Sequence, residues 1–274
     1  MTADKRSARR ISVRATLRRA VRIAASRQAG PRLVLTRDAS RRLDQRCTAD
    51  FAIPSLILME HASIGIASLT LAVTRSASAA VLVLSGPGNN GGDGLACARH
   101  LHNVGLTRLS IVLVADRDRL SPDAAANLAM AERLGLRIVL APTSPATALR
   151  REAARLRRPL LIIDALLGTG LSRPAEGPLL EAILACNDLR AADAAILAVD
   201  TPSGLDPDTG RPPPGGACIT ADATVTMAAL KPGFTARSTP TTGPVCVVPI
   251  GAPTALLRTL GRKQPTATPV TARR

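Results

Sequence analysis

Between residues 79 and 200, short apolar runs alternate with amphipathic stretches, and this alternation constrains the fold more than any other feature. The runs are AAVLVLS (79–85), LSIVLVA (109–115), LRIVLA (136–141), PLLIID (159–164) and AAILAVD (194–200). Weaker ones follow at ADATVTM (221–227) and GPVCVVPI (243–250). Helix-like stretches at 92–104, 122–134, 145–157 and 176–188 separate the first five. Strands apolar on both faces, joined by helical crossovers, form parallel sheets covered on both sides. The pattern predicts an α/β fold, a three-layer α/β/α Rossmann-like sandwich with a mostly parallel central sheet, as one domain over 33–255. Upstream, residues 35–51 read as a helix. Pro54 opens a second over 54–73, apolar nearly all round and therefore expected to be buried.

In such sheets ligands bind beyond the carboxyl ends of the strands. Three of those ends carry glycine-rich, polar loops: SGPGNNGGDG (85–94), DALLGTGLSRP (164–174) and DTPSGLDPDTG (200–210). The first contains a G-x-G-x-x-G from Gly86 to Gly91. Glycine lets the backbone approach a ligand, and the start of the following helix, near Gly92, favours an anion. An ordinary dinucleotide-binding turn satisfies this motif, with Asp116 or Asp118 standing for the ribose-binding acid. The loop is richer in glycine and asparagine than that turn requires. A P-loop is excluded because no Gly-Lys-Ser/Thr follows.

In the second loop Asp164 closes a strand, Gly168-Thr169-Gly170 follows, and Arg173 offers a forked cation suited to phosphate. In the third, Asp200 closes a strand, Pro202 stiffens the turn, Ser203 adds a hydroxyl and Gly204 permits tight geometry. Asp206 and Asp208 read as turn caps. Two carboxylates among neutral oxygens allow a division of labour. One can join amide and hydroxyl oxygens around a hard cation, while the other moves protons. Alternatively both cap helices or turns.

The formal charge is +16, but residues 1–32 hold ten Lys/Arg against one Asp, which leaves +7 on the remaining 242 residues. Arg10, Arg14, Arg18 and Arg22 recur every four residues beside an apolar stripe of Val13, Leu17 and Val21. The segment has the composition of an organelle transit peptide and is expected to be a disordered extension, as is the Pro/Thr/Arg-rich tail 256–274. Phe51 and Phe234 are the only aromatic residues apart from histidine, so base stacking on nucleic acid has no platform. Five dispersed cysteines read as reduced thiols of a cytoplasmic protein. His61, His100 and His102 form no zinc set, and no run of about 18 apolar residues suggests an integral membrane segment.

The stretches GPGNNGGDGLACARHL, DALLGTGLSRPAEGPL, AVDTPSGLDPDTG and ADATVTMAALKPG resemble, in order and spacing, the signatures of the YjeF N-terminal family, the NAD(P)H-hydrate epimerases. LTRDASRRLDQRCTADFAIPSLILMEHA is similar to the family's opening helices, so the resemblance runs over about 33–250. It implies an isomerase that interconverts the R and S forms of NADHX and NADPHX, nicotinamide dinucleotides hydrated at C6. A separate S-specific, ADP- or ATP-dependent dehydratase would then convert the S form back to the intact cofactor. By resemblance, Asn89, Asn90, Gly91, Gly92 and Asp93 contact this substrate, and Gly168, Thr169, Gly170, Leu171, Ser172, Arg173 and Pro174 wrap its diphosphate. Asn90, Asp164 and Ser203 would hold one K+ per subunit. Asp200 would sit beside the hydrated ring as the catalytic residue. Lys231 matches a recurrent lysine with two readings, a charge near the site or a surface role. The resemblance further implies a homodimer, and a stand-alone epimerase is expected because no fused dehydratase segment follows. His61 and Ser63 depart from the Asn and Gly frequent there. The competing reading is a non-catalytic binding or scaffold module in RNA metabolism, which should have lost the loop carboxylates that this chain keeps.

Overall fold

The structure, a computed structural model, describes residues 12–27, 33–158, 160–170, 173–235 and 237–263. In chain order it contains α1 (Val13–Ser26), β1 (Leu33–Val34), α2 (Arg37–Phe51), α3 (Ser55–Ala77), β2 (Ala80–Ser85), α4 (Asn89–Asn103), β3 (Leu109–Leu113), α5 (Pro122–Arg133), β4 (Ile138–Leu140) and α6 (Pro145–Leu156). There follow β5 (Leu160–Ala165), α7 (Gly177–Ala191), β6 (Ala195–Val199), β7 (Ala223–Met227), α8 (Thr239–Thr242), β8 (Val245–Val248), α9 (Thr254–Leu260) and β9 (Arg262–Lys263). The expected doubly wound sandwich is present. Seven strands form one parallel sheet in the order β4-β3-β2-β5-β6-β7-β8.

Alternation along the strands builds the two faces. Val81, Val83, Leu161, Ile163, Leu197 and Val199 point to the side covered by α1, α3, α4 and α5. Leu82, Leu84, Ile162 and Ile196 point to the side covered by α6 and α7. A third, smaller core joins α2 to the start of α3, through Leu43 and Cys47 against Leu58, Ile250 and Leu256. The chain winds outward from β2 to β4, then returns to place β5 on the other side of β2. This reversal makes a crevice between the loops after β2 and β5, the place where open α/β sheets bind ligands.

Three expectations need correction. Residues 13–26 of the basic amino-terminal segment are not an extension. They form α1, whose Val13, Leu17 and Val21 are buried against the sheet. The arginine stripe is used as well. Arg14 donates to the carbonyls of Arg190 and Ala194, and Arg18 pairs with buried Asp222 (3.2 Å). Residues 1–11 and 28–32 lie outside the described residues. The presumed tail also begins too early. Leu256 of α9 is in the third core, and β9 pairs antiparallel with β1; residues 264–274 lie outside the described ones.

Finally, α3 is not buried all round. Ile57, His61, Ile64 and Ser68 form an exposed stripe at helical spacing. Over Ser55–Arg75 it is long and apolar enough to cross a membrane by length and composition, with mean hydropathy 1.7. Ile66, Thr70 and Val73 are nevertheless closed from solvent, and the helix packs between α1 and α4 as a core element.

Candidate active site

Ser85, at the end of β2, sends its hydroxyl back to the Gly91 carbonyl (2.9 Å) and thereby curls the first loop. Gly86 meets the second loop so closely that a Cβ there would lie 1.8 Å from the Leu166 carbonyl oxygen. A Cβ on Gly91 would lie 1.9 Å from that of Gly86. These glycines bring two strand ends into backbone contact. Helix α4 starts at Asn89, three residues earlier than expected, and has no side-chain cap. The first amide bonded at its base is that of Gly92, to the Gly88 carbonyl (3.1 Å). The open amino end thus faces the crevice, as an anion site requires.

A cavity of about 830 Å³ fills the crevice. Its lining includes Asn89, Asn90 and Asp93 from the first loop, Gly168, Thr169, Gly170, Arg173 and Pro174 from the second, and Asp200 from the third. Gly91 and Gly92 do not line it; Gly92 packs against Met59 and Ala124. Leu171 and Ser172 lie outside the described residues. Asp116 and Asp118 line a separate depression beyond β3, so the ribose-acid reading finds no counterpart in the main cavity.

Asp164 is fully buried at the end of β5. It accepts hydrogen bonds from the Ser203 hydroxyl, from the Ser203 amide (2.8 Å) and from the Leu166 amide (3.3 Å). Burial raises its carboxyl to about 6, against the lowering effect of those bonds. The Ser203 hydroxyl also accepts from the Leu167 amide (2.8 Å), which ties the second and third loops together. Asn90 lies against Gly168, and both polar atoms of its amide are buried without a hydrogen-bond partner. A buried amide oxygen with no donor is costly. Together with a buried carboxylate and a hydroxyl, it makes an all-oxygen set of one charge, which fits a hard monovalent cation. Asp206 and Asp208 are caps, as expected. Asp206 accepts from the Asp208 and Thr209 amides and pairs with Arg37 (2.7 Å), and Asp208 accepts from the Arg37 amide (2.9 Å).

Asp200 follows β6 with φ +63°, a left-handed conformation. Its Oδ1 receives the Thr226 hydroxyl (3.1 Å), the Met227 amide (3.4 Å) and Lys231 Nζ (3.2 Å). Its Oδ2 has no hydrogen bond among the described residues. One oxygen is therefore anchored, and the other is available on a cavity wall. Lys231 resolves its two readings in favour of the site. It is buried, pairs with Asp200 and donates to the Met227 carbonyl (3.2 Å). Ser63 links α3 to α4, donating to the Met59 (2.7 Å) and Asp93 (3.1 Å) carbonyls. Burial, with Asp200, Asp44 and Asp123 adding to it, holds the Asp93 carboxyl well above the usual range.

Two charged lining residues on α2 have no counterpart in the loop motifs, Arg41 and Asp44. Arg41 reaches the Gly170 carbonyl (3.4 Å). Both lie on the polar face of an amphipathic helix, which in sequence looks the same as a solvated face.

A doubly wound sheet with a glycine-lined crevice, a lysine-paired carboxylate on the cavity wall and two lining arginines defines a small-molecule enzyme domain. Residues 55–233 match the profile of the YjeF-related protein N-terminus, and the chain belongs to this family. It is 37% identical over 219 residues to the NAD(P)H-hydrate epimerase of Rhodopirellula baltica, covering 80% of this chain and 84% of that one. It is 40% identical over 228 residues to the bifunctional NAD(P)H-hydrate repair enzyme of Salinibacter ruber, where the match spans 80% of this chain and 41% of the longer protein. The crystal structure of the yeast protein ynu0 has the same fold, with TM-score 0.68 over 86% of this chain and 97% of that one, at 21% identity.

Proposed function

We propose that the protein is an NAD(P)H-hydrate epimerase, an isomerase that interconverts the R and S forms of NADHX and NADPHX. The observation that carries this reading is Asp200, with Oδ1 fixed by three donors and Oδ2 open to the cavity at the switch point. The names of the two relatives agree with it. The substrate carries a hemiaminal at C6. Proton transfer to its hydroxyl, with push from the ring nitrogen, expels water and leaves an iminium that water attacks again. Asp200 Oδ2 moves the proton at the C6 oxygen. The diphosphate is held by the open end of α4, the 168–174 loop, Arg173 and Arg41. Asn90, Asp164 and Ser203 hold one K+, which supplies charge compensation and order to the loops. No redox partner is consumed.

Purified protein added to R-enriched NADHX and an S-specific dehydratase should accelerate consumption of the R form. No acceleration overturns the reading, and tight RNA binding in its place supports the scaffold alternative. Replacing K+ by choline should lower the rate and the melting temperature together, and Asn90→Ala should abolish the difference between the two salts.

A dehydratase acting on the S form is the functional partner that this chemistry requires. The exposed stripe of Ile57 and Ile64, near exposed Phe51, supports a homodimer. Ile57→Glu should then give a monomer by light scattering. Five free cysteines, four of them buried, suit the reducing cytoplasm.

A further inference from the structure

Helix α2 forms one wall of the cavity and carries an acid with no structural partner. Its other two carboxylates are paired along the helix, Asp38 with Arg42 (3.2 Å) and Asp50 with Arg46 (2.7 Å). The Asp44 carboxylate accepts no hydrogen bond and no ion pair among the described residues, and it lines the cavity together with Ser40, one turn before it. The helix that holds it is fixed. Thr36 caps its amino end, accepting from the Ala39 amide (3.1 Å), and Arg37 is tied to Asp206 and Asp208 in the loop that follows Asp200. On its other face Leu43 and Cys47 are buried in the third core. The position of Asp44 relative to Asp200 is thus set by the fold.

Asp44 is exposed along the cleft that it lines. Partial desolvation at that position raises its carboxyl to about 6, with the charge of Asp200 adding to the effect and Lys231 opposing it. The two carboxyls line the same cavity within electrostatic reach of each other, and no hydrogen bond joins them. They are also unlike. A buried ammonium sits 3.2 Å from Asp200, whereas no cation among the described residues pairs with Asp44. Carboxyl pairs held in such different surroundings divide into acid and base.

Epimerisation at C6 must expel water from one face of the ring and admit it at the other, and a carboxyl fixed on one wall reaches one face. Building on the epimerase reading, we propose that Asp44 is a second catalytic carboxyl, serving the ring face opposite Asp200. In one direction the Asp44 carboxylic acid protonates the C6 hydroxyl. The C–O bond breaks, water leaves, and the ring nitrogen lone pair completes the iminium. A water on the far face then forms the new C–O bond and gives its proton to the Asp200 carboxylate. The reverse reaction exchanges the roles, and one proton returned through solvent resets the pair.

The test is the full chain in H2(18)O with each epimer separately, for wild type, Asp44→Asn, Asp44→Ser and Asp200→Asn. Solvent oxygen enters an epimer with retention when only one face can react. Wild type should interconvert the epimers and label both. In Asp44→Asn, interconversion should fall by about 100-fold or more, while one epimer still takes up label at nearly the wild-type rate. In Asp200→Asn the other epimer should keep the label uptake. Interconversion retained in the Asp44 variants overturns the proposal. So does an equal fall in interconversion and labelling in both epimers, which would make Asp44 a positioning residue only. The Asp44→Ser variant and the melting temperature separate either result from misfolding. Absence of interconversion in wild type itself would instead refute the epimerase reading.

Discussion

The Lys231–Asp200 pair makes a quantitative claim about the site. The side chain of Lys231 is 2% exposed and that of Asp200 12%. Lys231→Met keeps the volume of the chain but leaves the Asp200 carboxylate without its counter-charge. Breaking a buried pair by removing one partner costs about 3–5 kcal/mol. Here Asp200 keeps the Thr226 hydroxyl and the Met227 amide, and its second oxygen opens to cavity water, so the lower end applies, about 3 kcal/mol. For a domain of this size that corresponds to a fall in Tm of roughly 6–12 °C. The double variant Lys231→Met/Asp200→Asn removes the stranded charge and should recover about 2 kcal/mol, because the cost lies in uncompensated charge and not in lost packing. Urea denaturation of the wild type, both single variants and the double variant measures the cycle. If the double variant is no more stable than Lys231→Met, the electrostatic account of this pair is wrong.

The other predictions concern the scaffold and the mouth of the site. Leu17→Ala, a substitution in a segment that composition marks as an extension, should cost about 2–5 kcal/mol in chemical denaturation, because Leu17 is fully buried. Gly86→Ala should prevent stable folding, since the added carbon meets backbone oxygen, whereas Gly88→Ala meets nothing within 4 Å and should fold normally. Because Gly88 borders the cavity, that variant should show a higher KM with little change in Tm. Glu152 is shut from solvent under Arg137, Arg155 and Ser110, and their hydrogen bonds lower its carboxyl from 4.5 to about 2. A depressed carboxyl contributes stability above its unfolded value and loses it as pH falls from about 4.5 through 2. The arginines are half exposed, so screening reduces the contribution to about 1–2 kcal/mol. Glu152→Gln should flatten the loss of stability between pH 5 and pH 2–3 by about that amount.

The sheet was legible because its strands are apolar on both faces and bounded by glycine or acid, a signal carried within each segment. The loops were legible for a related reason. Asp164 lies at the end of β5, Asp200 directly after β6 and Asp93 near the start of the helix after β2, so topology alone brings them to one edge. What escaped depends on surfaces that no local pattern describes. The stripe of Val13, Leu17 and Val21 meets a stretch of sheet left open by the other helices, and the arginines beside it meet Asp222, some two hundred residues later. The exposed Ile57 and Ile64 of α3 carry the same apolar signal as buried Ile66, and only the positions of α1 and α4 tell them apart.

Asp44 and Lys231 show a subtler form of the same problem. Each is a charged residue whose neighbours suggest a solvated surface, and each becomes part of the site through a fixed arrangement elsewhere. Two of the left-handed residues, Asp200 and Ala228, follow adjacent strands β6 and β7 with φ +63° each. For residues other than glycine this costs of the order of 1–2 kcal/mol apiece. The bend at Asp200 is held by the Val225 carbonyl accepting its amide (2.7 Å), and the bend at Ala228 by the Val248 carbonyl (2.9 Å). Those sheet contacts fix where Asp200 Oδ2 points before any ligand arrives, and they turn the chain so that Lys231 comes back beneath it. Such preorganisation matters in a reaction that needs a proton at one atom of one ring face. It also explains why α2 belongs to the site. The end of β6 holds Asp200 on one part of the cavity lining, and α2, tied through Arg37 to the loop after Asp200, holds Asp44 on another.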